Sequence, residues 1–260
     1  MRILVWNMQA VFGTASQEAK WRYLEQQSFD VALLQEARDP SEHADWCSAV
    51  WRPKYATHRP GKNLWGSAVI SRTLELEAPP LDDDYPWLGA LNGSTAIART
   101  TADPKWFASV HAVARQIPLD MIDTLPKDDI TRTTRDGSLW ETDVIPMELR
   151  KLFGAETFVW GGDLNSAESM DAISSFAGGN QKLREIWEEA GSHDLRKGFF
   201  ENEQQTFFCR GKKPWQLDHV FADAVTAARV SDWRVDLAPV SEFEPPLSDH
   251  APIIVDVDLL

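Results

Sequence analysis

The chain has 260 residues, of which 43% are hydrophobic and 25% charged, and 26 Lys and Arg stand against 40 Asp and Glu for a net charge of −14. This length buries a sizeable core, and the composition excludes a disordered or fibrous chain. The acid surplus argues against a broad electrostatic footprint on nucleic acid, although acids gathered around a divalent ion would be offset locally. Cys47 and Cys209 make no disulfide framework and fit no zinc spacing. The first apolar run is too short for a signal peptide and no stretch is long enough to span a membrane, so the expected location is cytoplasmic.

Residues 3–6 (Ile-Leu-Val-Trp) form a short continuous apolar run, the pattern of a strand covered on both faces, and it ends at Asn7. Ser16 is placed to cap a helix with Glu18 in its first turn and Trp21 and Leu24 on one face. Residues 29–34 read as a second covered strand ending at Gln35-Glu36, and the strand–helix–strand order predicts a layered α/β domain. The stretch 41–66 is mixed and Trp-rich, and 66–72 is another strand. Residues 79–84 are a surface loop whose acids, Asp82, Asp83 and Asp84, read as a solvated turn rather than a metal site.

Strands are predicted near 95–100 and 105–112, the second ending in Ser109-Val110-His111. Residues 114–145, with the basic pair Arg132 and Arg135, read as an insertion or long loop over the site. Pro146 is placed to start a helix that ends near Gly154. Residues 158–160 form a strand, and Gly161-Gly162 are expected to turn the backbone tightly. Extended backbone beyond that turn would project Asp163 and Asn165 into one space. Two helices follow, the second with Leu183, Ile186, Trp187 and Ala190 as its core stripe and Gly191 at its end. Arg210, Lys212 and Lys213 form a local basic cluster beside Trp215, just before a strand over 216–221 that carries Asp218. The final strand alternates, with Asp249 and His250 at its mouth. A carboxylate for a metal beside an imidazole for a proton suits phosphate-ester hydrolysis. His43, His58 and His193 have no neighbouring motif and read as surface or structural, and His219 is expected to face away from the site.

The ordered set Trp6-Asn7, Leu34-Gln35-Glu36, Ser67 to Arg72, Val110-His111, Gly162-Asp163-Leu164-Asn165-Ser166, Leu217-Asp218-His219-Val220-Phe221 and Ser248-Asp249-His250-Ala251-Pro252 resembles the endonuclease/exonuclease/phosphatase superfamily, the DNase I-like fold. The match covers residues 6 to about 257 in a single catalytic domain spanning 1–260. The resemblance implies a four-layer α/β sandwich, two mixed β-sheets packed face to face with helices outside, and a site at one end. It also implies Mg²⁺ or Mn²⁺, with Glu36 as principal ligand and Asn7 and Asp249 completing the shell. Asp163 and Asn165 would then position or activate the attacking water. His250, oriented by Asp218, would transfer a proton or stabilise charge, and His111 would contact a phosphate oxygen.

Fold does not choose a substrate within this superfamily. The sequence lacks the Asn-Tyr-Arg and Cys-Asp-Arg signatures of inositol phosphatases and has Gln216-Leu217-Asp218-His219 where abasic-site endonucleases usually show Arg-Ile-Asp-Tyr. Gln9 stands where many relatives carry Asn or Asp, which puts a second metal contact in question. The leading expectation is a nuclease whose rim (Arg210, Lys212, Lys213) binds phosphate and whose Trp215 stacks bases, although a solvated hairpin turn accounts for the same residues. A phosphohydrolase for a small phosphorylated molecule or phospholipid headgroup suits the acidic surface better. A catalytically dead binding module ranks last, because Glu36, Asp163, Asp218, Asp249 and His250 are all present. No obligate protein partner is inferred.

Overall fold

The computed structural model describes residues 1–9, 15–43, 46–54, 64–81, 84–91, 93–126, 130, 137–173 and 179–258. Twelve strands run in chain order: β1 (Arg2–Asn7), β2 (Val31–Ala37), β3 (Ser48–Lys54), β4 (Trp65–Ser71), β5 (Leu76–Glu77), β6 (Thr95–Thr100), β7 (Lys105–His111), β8 (Thr157–Asp163), β9 (His193–Asp194), β10 (Asp218–Ala222), β11 (Val230–Val235) and β12 (Ile253–Val257). They form two six-stranded sheets, ordered β11-β12-β1-β2-β4-β3 and β5-β6-β7-β8-β10-β9. Both are mixed, since β1 pairs parallel with β2 and β7 parallel with β8 while the neighbouring pairs are antiparallel.

The period of two along each strand explains the layers. Ile3, Val5, Val31, Leu33 and Val69 of the first sheet meet Ala96, Ala98, Phe107, Val159 and Val220 of the second in one buried cluster between the sheets. The alternate residues Leu4, Trp6, Ala32, Leu34 and Ile70 face outward, where Trp21 and Leu24 of the helix Gln17–Gln26 cover them. On the far side Trp106, Val110, Phe158, Trp160 and Phe221 pack under the helices Glu141–Phe153 and Gly179–Glu189. Both faces of both sheets are therefore covered, as the continuous apolar runs required, and the result is the predicted four-layer sandwich. Most tryptophans serve this core: Trp6, Trp21, Trp160, Trp187 and Trp233 are among its largest fully buried side chains.

Several expectations need correction. The helix assigned to Pro146 begins five residues earlier, at Glu141, and carries Pro146 inside it. Its start is set by Asp143, whose carboxylate accepts the N–H of Trp140 at 2.8 Å. Proline inside a helix forfeits one backbone bond, and here the buried face of Val144, Ile145, Leu149 and Phe153 offsets that loss. The stretch 114–145 is not a bare loop, since it also holds a short helix, Leu119–Thr124. Strand β3 was not foreseen; it lies at a sheet edge, where most of its side chains are only half-buried. Arg132, Arg135, His58, Asp82 and Asp83 lie outside the described residues.

Gly161 and Gly162 are needed for a different reason from the one expected. They lie inside β8 rather than in a turn. A Cβ on Gly162, at φ +145°, would sit 2.0 Å from the carbonyl oxygen of Val110 and 2.7 Å from Gln35 Nε2, so glycine lets β8 approach its neighbour strand and the opposite sheet just below the site. Gly162→Ala is expected to lower stability by about 3 kcal/mol in urea unfolding followed by tryptophan fluorescence. A loss under about 0.5 kcal/mol would mean that the two sheets can separate there at little cost.

Candidate active site

Strand ends from both sheets converge on one spot. Asn7 ends β1, His111 ends β7, Asp163 ends β8 and Asp218 opens β10. Register sets the second-sheet members side by side, because Asp163 is the cross-strand partner of both His111 and Asp218. The sheets are joined across the gap by Asn7 Nδ2, which donates to Asp163 Oδ2 at 2.9 Å. Below this bond Gln35 reaches from β2 to Ser109 Oγ at 2.9 Å, and Ser109 Oγ in turn donates to the carbonyl of Leu34 at 2.6 Å. Buried polar pairs of this kind fix the alignment of the two layers.

Glu36 reaches the site through a backbone distortion. The pairing of β2 with β4 shifts register between Leu34 and Ala37, and Glu36 sits in this bulge at φ +48°. Among the described residues, the non-glycine residues with positive φ are Gln9, Glu36 and Asn165, and all three belong to this site. Left-handed backbone at non-glycine residues is strained, and such strain gathers where function requires it. Asn165 is thus not the extended neighbour that sequence suggested. The strand stops at Asp163, whose Oδ1 accepts the N–H of Asn165 at 2.9 Å, and Asn165 Nδ2 donates to the Ala112 carbonyl at 3.0 Å. The turn still keeps Asn165 beside Asp163.

Asp163 is the hub. Its Oδ2 lies 3.7 Å from His250 Nε2 and 3.8 Å from His111 Nε2. His250 Nδ1 is bonded to Asp218 Oδ2 at 2.7 Å, and Asp249 Oδ1 is 3.9 Å from His250 Nε2. Glu36 Oε1 stands 3.7 Å from His111 Nε2. The His250 loop is anchored from beneath: the Trp6 indole donates to the His250 carbonyl at 3.0 Å, and Ser248 Oγ donates to the Asn7 carbonyl at 2.8 Å. Asp218 is held by Thr206, whose hydroxyl accepts the N–H groups of Leu217 and Asp218 at 3.0 and 3.1 Å.

Burial and neighbouring charge separate the protonation states. Burial pulls His250 down, but Asp218, Asp163 and Asp249 outweigh it and raise the imidazole to about 10. His111 is equally buried and feels Lys54 and His250, so it falls to about 3 and is neutral. Burial raises Asp163 to about 7, with His250 opposing and Asp218 adding to the rise. The site therefore sets a carboxylate raised to about 7 between a charged and a neutral imidazole.

The donor set also fits a hard divalent ion. Glu36 Oε2 is buried without a hydrogen-bond partner, and Asp249 and the Asn7 amide bring further oxygens to the same opening. Burial raises both Glu36 and Asp249, which an ion would reverse. Among the described residues no three His, Cys, Asp or Glu side chains are grouped as a metal cage. Two carboxylates with retained water are what Mg²⁺ takes, whereas a cage of His and Cys would suit zinc.

The Endonuclease/Exonuclease/phosphatase family model matches residues 4–250. The chain belongs to this family. Members of the endonuclease/exonuclease/phosphatase superfamily are phosphoric ester hydrolases, and its nucleases generally use divalent metals. Solved structures with the same fold include a 3′ phosphatase from Neisseria bound to a product DNA hairpin, 18% identical with a TM-score of 0.65 and 100% of each chain covered. They also include the abasic-site endonuclease of Leishmania major, 17% identical with a TM-score of 0.67, covering 100% of this chain and 88% of that one. A third is an abasic-site endonuclease of Archaeoglobus fulgidus, 16% identical with a TM-score of 0.63 and 100% of each covered. No curated protein sequence matches the chain.

The other sequence-predicted residues of this family member fall in two groups. Arg210, Lys212 and Lys213 are exposed on a turn in which Lys212 N–H bonds the Cys209 carbonyl at 3.1 Å and Gly211 takes φ +78°. That turn is tied to the site, since Phe208 N–H bonds the Asp249 carbonyl at 2.7 Å and the Phe207 ring lies 5.0 Å from that of His250. Trp215 offers only part of its face, because it packs on Ala167, Met170 and Leu217. His219 points away to Arg184 and the Ser166 carbonyl, His43 stacks on Trp21, and His193 bonds Glu188. Both cysteines are unpaired. Among the described residues no helix is long and apolar enough to cross a membrane. Sequence reasoning missed Thr206, Trp6 as an anchor, and Lys20. Lys20 left a readable signal: it shares the buried face of its helix with Tyr23 and Leu24, at the i, i+3, i+4 spacing where a lysine is unexpected.

Proposed function

We propose that this family member is a divalent-metal-dependent phosphodiesterase, a nuclease that hydrolyses phosphodiester bonds of DNA or RNA, within a single domain spanning 1–260. The observation that carries the reading is Asp163 set between one charged and one neutral imidazole, with the buried Oε2 of Glu36 left without a hydrogen-bond partner alongside. Glu36, Asp249 and Asn7 would hold Mg²⁺ or Mn²⁺, which when bound offsets the charge of the phosphate and polarises it. Asp163, once ionised, takes a proton from the attacking water, and Asn165 keeps its amide oxygen for orienting that water. The water oxygen bonds to phosphorus as the ester oxygen leaves; that oxygen takes a proton from solvent and Asp163 returns its own to solvent, giving a phosphomonoester and an alcohol. His250 presents its Nε2–H to the non-bridging oxygens as their charge grows, and Asp218 holds the ring in that tautomer. Neutral His111 donates to a phosphate oxygen.

Two features favour a polymeric substrate: the exposed basic turn tied to the Asp249 strand end, and the DNA hairpin in the Neisseria 3′ phosphatase of the same fold. The net charge of −14 favours the second reading, a small phosphorylated molecule or phospholipid headgroup. Mg²⁺- or Mn²⁺-dependent nicking of supercoiled plasmid and cleavage of single-stranded RNA, run beside a small diester such as bis(p-nitrophenyl) phosphate, separates them. Polymer cleavage supports the nuclease, and turnover of the small diester alone transfers the site to the second reading.

The double variant Lys212→Ala, Lys213→Ala is expected to raise KM on polymer by about fivefold while kcat stays level, and to lower the salt slope by about 2. Unchanged kinetics and salt slope would remove the turn from the substrate path. The pH profile follows from the two shifted groups. The rate kcat/KM should rise with unit slope as Asp163 ionises through about 7, and fall again as His250 loses its proton near 10. Asp163→Asn should abolish the acid limb along with most activity. An acid limb centred near 4 would assign the base to a different carboxylate.

A further inference from the structure

Lys20 lies in the helix Gln17–Gln26 and is fully buried, yet its stem does not end in the core. Its Nζ donates to the carbonyls of Met8 and Gln9 at 2.7 and 2.8 Å, in the segment that follows β1. That segment builds the site: Met8 N–H bonds the Gln35 carbonyl at 2.8 Å, and Gln9, at φ +47°, donates its N–H to Asn7 Oδ1 at 2.9 Å. The same ammonium acts electrostatically on Glu36 and Asp249. Burial lowers Lys20 to about 8 while the two acids oppose the fall, so the group is mostly charged at neutral pH. A positive charge is thus fixed on the segment next to Asn7 and acts from there on the carboxylates assigned to the metal. It occupies two hard carbonyl oxygens of the kind that a divalent ion takes, and the adjoining Gln9 side chain brings no carboxylate.

We propose that Lys20 is a built-in cation of this site, which fixes the carbonyls of Met8 and Gln9 and restricts Glu36 and Asp249 to a single divalent ion. The inference rests on the metal assignment above. A positioned lysine supplies charge without exchange, and it repels a second ion from the same opening. Its removal should therefore strengthen metal binding even as it loosens the loop that aims Asn7, a pair of effects that a purely structural lysine does not produce.

The test is calorimetric titration of the full chain with Mn²⁺, without substrate, with electron paramagnetic resonance of the loaded protein to detect coupled ions. The wild type should bind one uncoupled Mn²⁺. Lys20→Met, similar in length but uncharged, should bind the first ion about tenfold more tightly, while kcat on a phosphodiester falls. Lys20→Arg, which keeps the charge, should remain within about threefold of the wild-type affinity. Two coupled Mn²⁺ ions in the wild type would overturn the inference while leaving the phosphodiesterase reading in place. So would unchanged or weaker binding by folded Lys20→Met. No Mn²⁺ binding by the wild type would remove the metal assignment itself. If Lys20→Met does not fold, the wild-type stoichiometry and Lys20→Arg decide.

Discussion

His250→Gln should lower kcat on plasmid DNA about thousandfold while Mn²⁺ binds no more weakly than in the wild type, since the lost charge had opposed the ion at Glu36 and Asp249. The expectation follows from the division of labour around Asp163. His250 is charged because three carboxylates face it, and its Nε2–H is the positive donor nearest to the Asp163 oxygen. Glutamine keeps much of the volume and a donor but no positive charge, so charge developing on the phosphate goes unmet. Alanine is a poorer probe, since it strips Asp218 of its 2.7 Å partner and leaves a buried carboxylate whose other oxygen already has none. Breaking a buried pair from one side typically costs ~3–5 kcal/mol, so His250→Ala would mix lost chemistry with lost stability. Activity of His250→Gln within tenfold of wild type, in protein free of contaminating nuclease, would falsify the assigned role.

Glu36→Gln should weaken Mn²⁺ binding by about two orders of magnitude and lower kcat/KM at least as far. Glu36 is half-buried and its buried Oε2 has no hydrogen-bond partner, so its ionised form is waiting for a cation. Removing the charge removes the reason for an ion to enter, and the amide fits the same bulge without a change in backbone. Asp249→Asn should have a smaller effect, because Asp249 is part-exposed at 26% of its side chain and its charge is better solvated from the start. Calorimetry separates the two variants. Full Mn²⁺ affinity in Glu36→Gln would move the ion to other ligands.

The sequence was legible where one residue type at one strand end carries the meaning. Asn7, His111, Asp163 and Asp218 each close or open a covered strand; pairing aligns the last three, and the packing of the two sheets brings Asn7 to them. The bulge at Glu36 and the left-handed turn at Asn165 were not legible, because neither residue is glycine and nothing local demands positive φ. Gly161-Gly162 were noticed for the wrong reason: crowding by the neighbouring strands and the opposite sheet is a tertiary fact, and a glycine pair reads the same in a turn or in a packed strand. Pro146 misled for a similar cause. Proline favours a first turn, but burial of the surrounding face let this helix run through it. Lys20 required knowing that the helix covers the outer face of β1 and β2, behind the acids.

The last strand of the chain, β12, lies inside its sheet rather than at the edge. It pairs with β11 on one side and β1 on the other, and 244 residues separate Trp6 from the His250 carbonyl that it holds. At ~5–20 residues per second, a ribosome takes roughly 10–50 s to cover that interval. Throughout it Asn7 and Glu36 can emerge, and β1 can pair with β2, while the other edge of β1 has no neighbour. The growing chain holds its acids without the imidazolium that completes them. On the proposed mechanism, hydrolytic competence therefore arrives only with the closing of the sheet, and a nascent chain halted before residue 248 should be chemically silent.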